Sequence, residues 1–508
     1  MNIKTIVETA KDTDRRLSPV SAEERLVQNP KHLSCIITID PHTNYQTFQG
    51  FGGALTESAA FVLASLSPEQ RQTVLHAYFD QKQGLGYTLA RTHLNSCDFS
   101  LGNWACVERP DAQLASFSME MPDRYQIPLI HDAMNVVRDT ASPGTAAVGI
   151  GALQAGGTAV AGRSLVSQAS GASAVNSPAP SEPSVSDGTL KLMVSPWSPP
   201  GWMKDTGEMN HGGKLLKQYY PLWAAYFVRF IKELADRGIP VWAVSVQNEP
   251  EARQIWDSCL WTAGEEAEFA IEHLGPQLER AGLGHIAILI WDHNRDRLWA
   301  RAHESFSYPG AERYIRGAAY HWYSGDQYNQ VAQVAQAYPD KLLVFSEGCV
   351  EGGSRPGAWF TGERYAHNII NDLNHGCHAW IDWNIALDMT GGPNHVGNLC
   401  DAPVLVDTAT QQAHFQSSFY YIGHFSRYIR PGAVRLGIGM DSWMVPAAVD
   451  GRMGTTMEAC AFRNVDGTIS LVVCNRTEAD MVYRLRLSGE SEELHLVCPP
   501  RGIQTLML

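Results

Sequence analysis

Between about residues 50 and 428, short apolar runs alternate with stretches whose apolar residues return at helical spacing. The runs read as buried strands that end in polar or aromatic residues. They are GFGGALTE near residue 50, GYTLARTHLNSCD at 86–98, KLMVSPW at 191–197 and VWAVSVQNEP at 241–250. IAILIWDHN at 286–294, GAAYHWYS at 317–324, KLLVFSEG at 341–348 and HAWIDWN at 378–384 bring the set to eight. Between them, Leu216, Tyr220, Trp223, Phe227, Phe230 and Leu234 form one apolar stripe that predicts a helix. A second helix is predicted from Glu265 to Arg280. Eight strand–helix units in one region predict an α/β fold, a (β/α)8 TIM barrel, with chemistry gathered at the C-terminal ends of the strands.

The pattern changes after about residue 430, where no helical period remains. Residues 461–464, 469–475, 482–487 and 494–498 read as short strands. Tyr483, Leu485 and Leu487 alternate with Arg484 and Arg486, one set per face. This predicts an appended antiparallel β-sandwich domain. The run LSCIITID at 33–40 is also strand-like and precedes the first barrel strand. Pairing into the same sandwich would make that domain discontinuous, residues 1–45 plus 429–508 around a barrel at 46–428. Residues 141–188 break the rhythm. They are rich in Ala, Gly, Ser and Pro, and their charged residues are Arg163, Glu182 and Asp187. Such a segment builds no packed core alone, and it falls in a helix-to-strand connection, so a surface insertion at the barrel's bottom is expected.

Composition narrows the partners. Hydrophobic residues make up 44% of 508 positions, ample for a core, which excludes overall disorder. The formal net charge of −14 disfavours nucleic acid and anionic lipid as partners. No run reaches the ~18 apolar residues of a membrane span. The N-terminal MNIKTIVETAKDTDRR lacks the apolar core of a secretory signal, so a cytoplasmic location is expected. Ten scattered cysteines, with no C-x-x-C pair, suggest reduced buried thiols rather than a disulfide frame or a zinc site. G-x-G-x-x-G, Walker-type, H-E-x-x-H and G-x-S-x-G motifs do not occur, and the glycine-rich run at 149–157 fits no phosphate loop. The sequence sets no oligomeric state.

The strand ends carry the candidate chemistry. The fourth ends in Gln247, Asn248, Glu249 and Pro250, and the seventh in Ser346, Glu347 and Gly348. Two carboxylates at the tops of opposed strands face one cavity, and glycoside cleavage uses such a pair. Separations of about 5–5.5 Å permit direct attack and retention, whereas about 6.5–9.5 Å admit a water and invert. Asn248 beside Glu249 suits a sugar 2-hydroxyl, which assigns Glu249 as acid/base and Glu347 as nucleophile. The acid then needs a raised pKa, and Arg91 on the second strand is the candidate that keeps Glu347 ionised. For a single glutamate at either place a surface salt bridge would be the simpler account. Two, each ending a buried run, favour function. Glu251, Glu351, Asp292 and Asp382 compete with them. Asp98 is cast as a hydroxyl acceptor, with a local turn cap nearly as good an account. Trp197, Trp291, Trp322, Tyr323 and Trp383 end strands where a ring stacks on a sugar face, though each also suits core packing. His321 and His93 lie near strand ends and read first as structural residues.

Taken together, the motifs resemble the glucosylceramidase family of glycoside hydrolases, family 30. They are QGFGGALTESAA at 49–60, GLGYTLARTHLNSCDFS at 84–100, SPWSPPGWMK at 195–204, QNEP at 247–250, HWY at 321–323, SEG at 346–348, DWN at 382–384, GGPN at 391–394 and GHFSRYIRPG at 423–432. The resemblance implies a (β/α)8 barrel, a β-sandwich built from both chain ends, and a retaining β-glycosidase with no metal or cofactor. It implies Glu249 as acid/base, Glu347 as nucleophile, and sugar contacts from Asp98, Trp197, Asn248, Trp383 and Asn398. The expected substrate is a small neutral β-linked sugar, of β-glucoside or glucosylceramide type. A silent carbohydrate-binding barrel and a transglycosylase are the alternatives. The insertion at 141–188 is foreign to the family pattern, and the loop EARQIWDSC after QNEP and His395 after GGPN depart from it in the outer pocket.

Overall fold

The computed structural model describes residues 1–141, 189–442, 447–449, 452–454 and 457–508. The insertion at 141–188 therefore lies outside the described residues, apart from Ala141 at the end of helix Gln126–Ala141.

Eight parallel strands close into a barrel, labelled here in chain order. They are β1 (Gly50–Ala54), β2 (Leu89–Leu94), β3 (Lys191–Pro196) and β4 (Val241–Ser245). β5 (Ala287–Asn294), β6 (Ile315–His321), β7 (Leu342–Glu347) and β8 (Ala379–Asn384) complete it, with β8 pairing to β1. Leu89, Met193, Ala243, Leu289, Ala319, Val344, Ala379 and Ile381 fill the lower interior. Side chains alternate along a strand, so the interior position two residues on is Arg91, Ser195, Ser245, His321 or Ser346. The apolar plug thus fixes which polar groups stand on it.

Helices cover the barrel. In helix Tyr220–Asp236, Trp223, Phe227, Phe230 and Leu234 are buried, as their spacing requires. Leu216 belongs to the expected stripe but lies ahead of this helix and is 36% exposed. Pro221 in the first turn fixes the start, because a missing N–H costs nothing there. The segment expected as one helix from Glu265 is three pieces. Ala263–Glu268 opens on a Thr262–Glu265 capping box, widens into a π turn at Phe269–Leu274, and closes as Gly275–Arg280. Pro276 has no N–H to donate back along the helix, and the widened turn directly precedes it.

The second body is a nine-stranded sheet. Its order runs Ser18–Val20, Thr5–Ala10, Gly502–Met507, Ile469–Asn475, Met457–Arg463, Val434–Ser442, Cys35–Thr47, Met481–Leu487, Glu493–Cys498. Both chain ends contribute. Ile6 and Val20 from one end of the order share a core with Leu496 and Cys498 from the other. The sheet therefore folds back on itself as a sandwich. Neighbours are antiparallel except Met481–Leu487 beside Cys35–Thr47, which run parallel. Among the described residues no helix is long and apolar enough to cross a membrane.

Candidate active site

Two irregularities aim acidic groups at the barrel's mouth. On β5, Leu289 faces inward, and strict alternation would bring Trp291 in next. The register shifts between Trp291 and His293 instead, with φ of 72° at Trp291 and 50° at Asp292. This bulge turns Asp292 inward. On β7 a second shift, between Phe345 and Glu347, lets Ser346 and Glu347 both reach the interior. Gly348 follows because a Cβ there would meet the Phe345 and Trp322 rings at 2.6 and 2.7 Å.

Asp292 is the hub beneath the site. Its carboxylate accepts from Arg91 Nη2 at 2.8 Å, Ser195 Oγ at 2.9 Å, Ser245 Oγ at 2.6 Å and Ser346 Oγ at 2.6 Å. His321 Nε2 lies 3.1 Å away. Burial favours its neutral form, yet Arg91, His321 and Ser245 hold it far below the usual carboxylate range. Arg91, fully buried, gives Nε to Ser195 Oγ at 3.1 Å and turns its remaining donors upward. Nη1 reaches Glu347 Oε2 at 2.6 Å, and Nη2 reaches Asn248 Oδ1 at 2.8 Å. Its guanidinium also faces the rings of Trp197 and Trp383, at 4.9 and 5.5 Å.

Glu249 and Glu347 open on one cavity of about 210 Å³, with Asp98, Trp197, Asn248, Tyr323, Trp383 and Asn398 in its wall. The turn carrying Glu249 is pinned on both sides. Asn248 N–H donates to the Pro196 carbonyl and Glu249 N–H to that of Asp292. Glu249 itself holds φ at 47°, a strained value for a residue with a Cβ. Tyr323 donates its hydroxyl to Glu347 Oε1 at 3.0 Å. Trp197 and Trp383 stack on each other, 5.4 Å between centroids and 25° between planes. Asn394 and Asn398 both donate to Asp98 Oδ2 at 3.1 Å. Burial, and then the charge of Glu347, push the Asp98 pKa up to about 7.

The two glutamates titrate against expectation. Burial is the largest pressure on Glu249 and acts upward, but His293 and His321 outweigh it and set the carboxyl below its ordinary value. Burial and Glu249 carry Glu347 above its ordinary value, against His321 and Arg91. The expected raised value at Glu249 is therefore corrected, and the cause is imidazole charge. His293 is itself held below the ordinary histidine value by burial, against the charge of Glu249. His321 is shifted the other way. Burial opposes its charge, yet Glu347, Asp292 and Glu249 push its pKa up to about 9.

Other sequence candidates stand elsewhere. Trp291 and Trp322 are core residues whose indole N–H groups go to the carbonyls of Asn294 and Cys349. His93 receives the Glu57 N–H at 3.1 Å, and burial lowers its pKa to about 4. Asp382 accepts from Tyr365 at 2.7 Å, with its pKa pushed up to about 8 by burial. Glu251 pairs with Arg297 and Arg301, whereas Glu351 does line the cavity. Sequence reasoning gave Ser195, Ser245, Ser346, Asn394 and His293 no role, and it named Asp292 only as a carboxylate competing with the pair. The only sequence signal for the serines was their place two residues beyond an interior apolar position.

Comparison with known proteins agrees with this arrangement. The family model "Glycosyl hydrolase family 30 TIM-barrel domain" matches residues 48–163 and 183–429, and "Glycosyl hydrolase family 30 beta sandwich domain" matches 432–506. Lysosomal acid glucosylceramidase of Mus musculus is 30% identical over 465 residues, 88% of this chain and 78% of the relative. An endo-1,6-beta-D-glucanase of Neurospora crassa is 24% identical over 92% of this chain and 87% of its own. The crystal structure of SrfJ from Salmonella typhimurium superposes with a TM-score of 0.82 at 34% identity, covering 99% of both chains. With its closed barrel, its sandwich and both family models matched in chain order, the chain belongs to glycosyl hydrolase family 30.

Proposed function

We propose that the protein cleaves β-glucosidic bonds with net retention, Glu347 acting as nucleophile and Glu249 as acid/base. The observation that carries this reading is the fixing of Glu347. One oxygen takes Arg91 at 2.6 Å and the other Tyr323 at 3.0 Å, in the same cavity as Glu249. Donors to both oxygens orient the carboxylate for attack on an anomeric carbon. Glu249 protonates the departing oxygen as Glu347 forms a glycosyl ester, and then takes a proton from the water that hydrolyses it. His321 Nδ1 stands 3.3 Å from Glu249 Oε1, so the proton held along that contact is the one offered to the leaving group. Once Glu347 is esterified its charge is gone, which lowers the proton affinity of Glu249 and suits its second role as base.

The pocket supports a neutral sugar, because Asp98, Glu249 and Glu347 all face it and repel an anionic ring. A cavity of about 210 Å³ lies below the ~300–1,000 Å³ of drug-sized sites, so it suits one ring with the aglycone outside. Both curated relatives described above are named for glucosyl substrates. The test is a panel of aryl β-glycosides with wild type, Glu347→Gln and Glu249→Gln. Glu347→Gln loses nearly all turnover. Glu249→Gln keeps reaction with activated leaving groups, and azide restores it as a β-glycosyl azide. Equal turnover in all three proteins excludes the mechanism.

A further inference from the structure

We propose that Glu249, His293 and His321 form a binding site for a zinc-class divalent ion, and that its occupation shuts off glycoside cleavage. The three groups offer one ligand atom each, all within 4.8 Å of one another. Nδ1 of His321 and Nδ1 of His293 stand 3.3 and 3.6 Å from the same Glu249 oxygen. Tetrahedral zinc, with bonds of about 2.0–2.1 Å, spaces its ligand atoms by roughly 3.3 Å. A small inward movement of His293 closes the set.

Three further observations point the same way. His321 Nε2 is engaged by Asp292 at 3.1 Å, the carboxylate–histidine support that metal-binding imidazoles use, and this leaves Nδ1 facing Glu249. His293 Nδ1 is buried without a hydrogen-bond partner, which an ion would supply. The Trp291 ring lies 5.0 Å from the His293 ring at 33° and limits its tilt. Two imidazoles and a carboxylate are a donor set for zinc, and the cavity leaves its fourth position to water or a sugar hydroxyl. The carboxylates of Asp292 and Glu347 add attraction for a cation. On binding, the ion displaces the proton between His321 and Glu249, and the acid/base is gone.

Binding itself does not depend on the proposed reaction; only the loss of turnover rests on that reading. The test uses the full chain, freed of metal by a chelator, with Co²⁺ as spectroscopic probe and Zn²⁺ as inhibitor of aryl β-glucoside hydrolysis. Wild type binds Co²⁺ with a visible absorption band of imidazole and oxygen ligation. Zn²⁺ abolishes that band and inhibits turnover, and the chelator reverses the inhibition. His293→Gln and Glu249→Gln each lose the band, and in His293→Gln the inhibitory zinc concentration rises at least tenfold. Equal zinc sensitivity in wild type and His293→Gln overturns the proposal. So does a cobalt–thiolate band removed by Cys349→Ser, since Cys349 and Cys400 share the wall. Absence of any cobalt band in wild type overturns it without a variant, and without reference to turnover.

Discussion

Tyr323 is the residue where position and proton affinity meet. Its hydroxyl donates to Glu347 and so favours the ionised form. On the proposed mechanism the acid limb of kcat/KM reports Glu347 in the free enzyme, and burial sets that limb above the ordinary glutamate value of about 4.3. Tyr323→Phe removes a donor to a charge, so kcat/KM falls roughly 10- to 100-fold, the worth of about 1.5–3 kcal/mol. The limb also moves further up, because the carboxylate has lost a partner. A pH–rate profile of the variant that keeps the wild-type limb contradicts this role. Glu249, Glu347, Asp98, Trp197 and Trp383 were legible in the sequence because each ends an apolar run. The part of Asp292 was not. A bulge is a backbone event, and no residue type in IAILIWDHN announces that inward facing skips Trp291 for Asp292.

Elements are tied together at that same carboxylate. Asp292 on β5 accepts from β2, β3, β4 and β7 and meets His321 of β6. Asp292→Asn leaves Arg91 buried with one carboxylate fewer, and breaking such a pair costs about 3–5 kcal/mol. Thermal unfolding of Asp292→Asn begins well below that of wild type. Its kcat/KM falls more steeply than its KM rises, since Arg91 no longer stands fixed under Glu347. Unchanged unfolding refutes the hub. The eight barrel strands showed in the sequence because each is buried on both faces and so continuous in apolar residues. The sheet strand Thr5–Ala10 did not. Its Glu8 is fully buried, answered by Arg15 and Arg25 at 2.7 Å, and a charge in so short a run hides the strand. Val434–Ser442 is hidden by Gly437 and Gly439.

At the scale of the whole molecule, barrel and sheet are joined by polar contacts. His424, on helix Ser417–Ser426, lies between Thr505 and Thr9 of the sheet, 2.9 Å from each hydroxyl. Arg501 donates to Glu363 at 2.9 Å, and its carbonyl accepts from Trp359 and Tyr421. Burial lowers the His424 pKa to about 3, against about 6.5 in an unfolded chain. Above pH 6.5 neither state is protonated. As pH falls from 6.5 toward 3, the unfolded chain takes up a proton that the folded one refuses, and stability is lost. His424→Gln takes up none. It is less stable than wild type at pH 7.5, by about 1–2 kcal/mol for the lost hydrogen bonds. That deficit shrinks steadily as pH is lowered to 5. A deficit independent of pH in thermal unfolding contradicts a neutral buried ring.

The central claim is that Glu347 bonds to sugar. A 2-deoxy-2-fluoro-β-glucoside with a reactive leaving group slows hydrolysis of the ester more than its formation. Mass spectrometry of the digested protein then finds the fluorosugar on the peptide carrying Glu347, and proton NMR of an unmodified substrate finds the β-anomer released first. A label on any other residue, or first release of the α-anomer, contradicts the account.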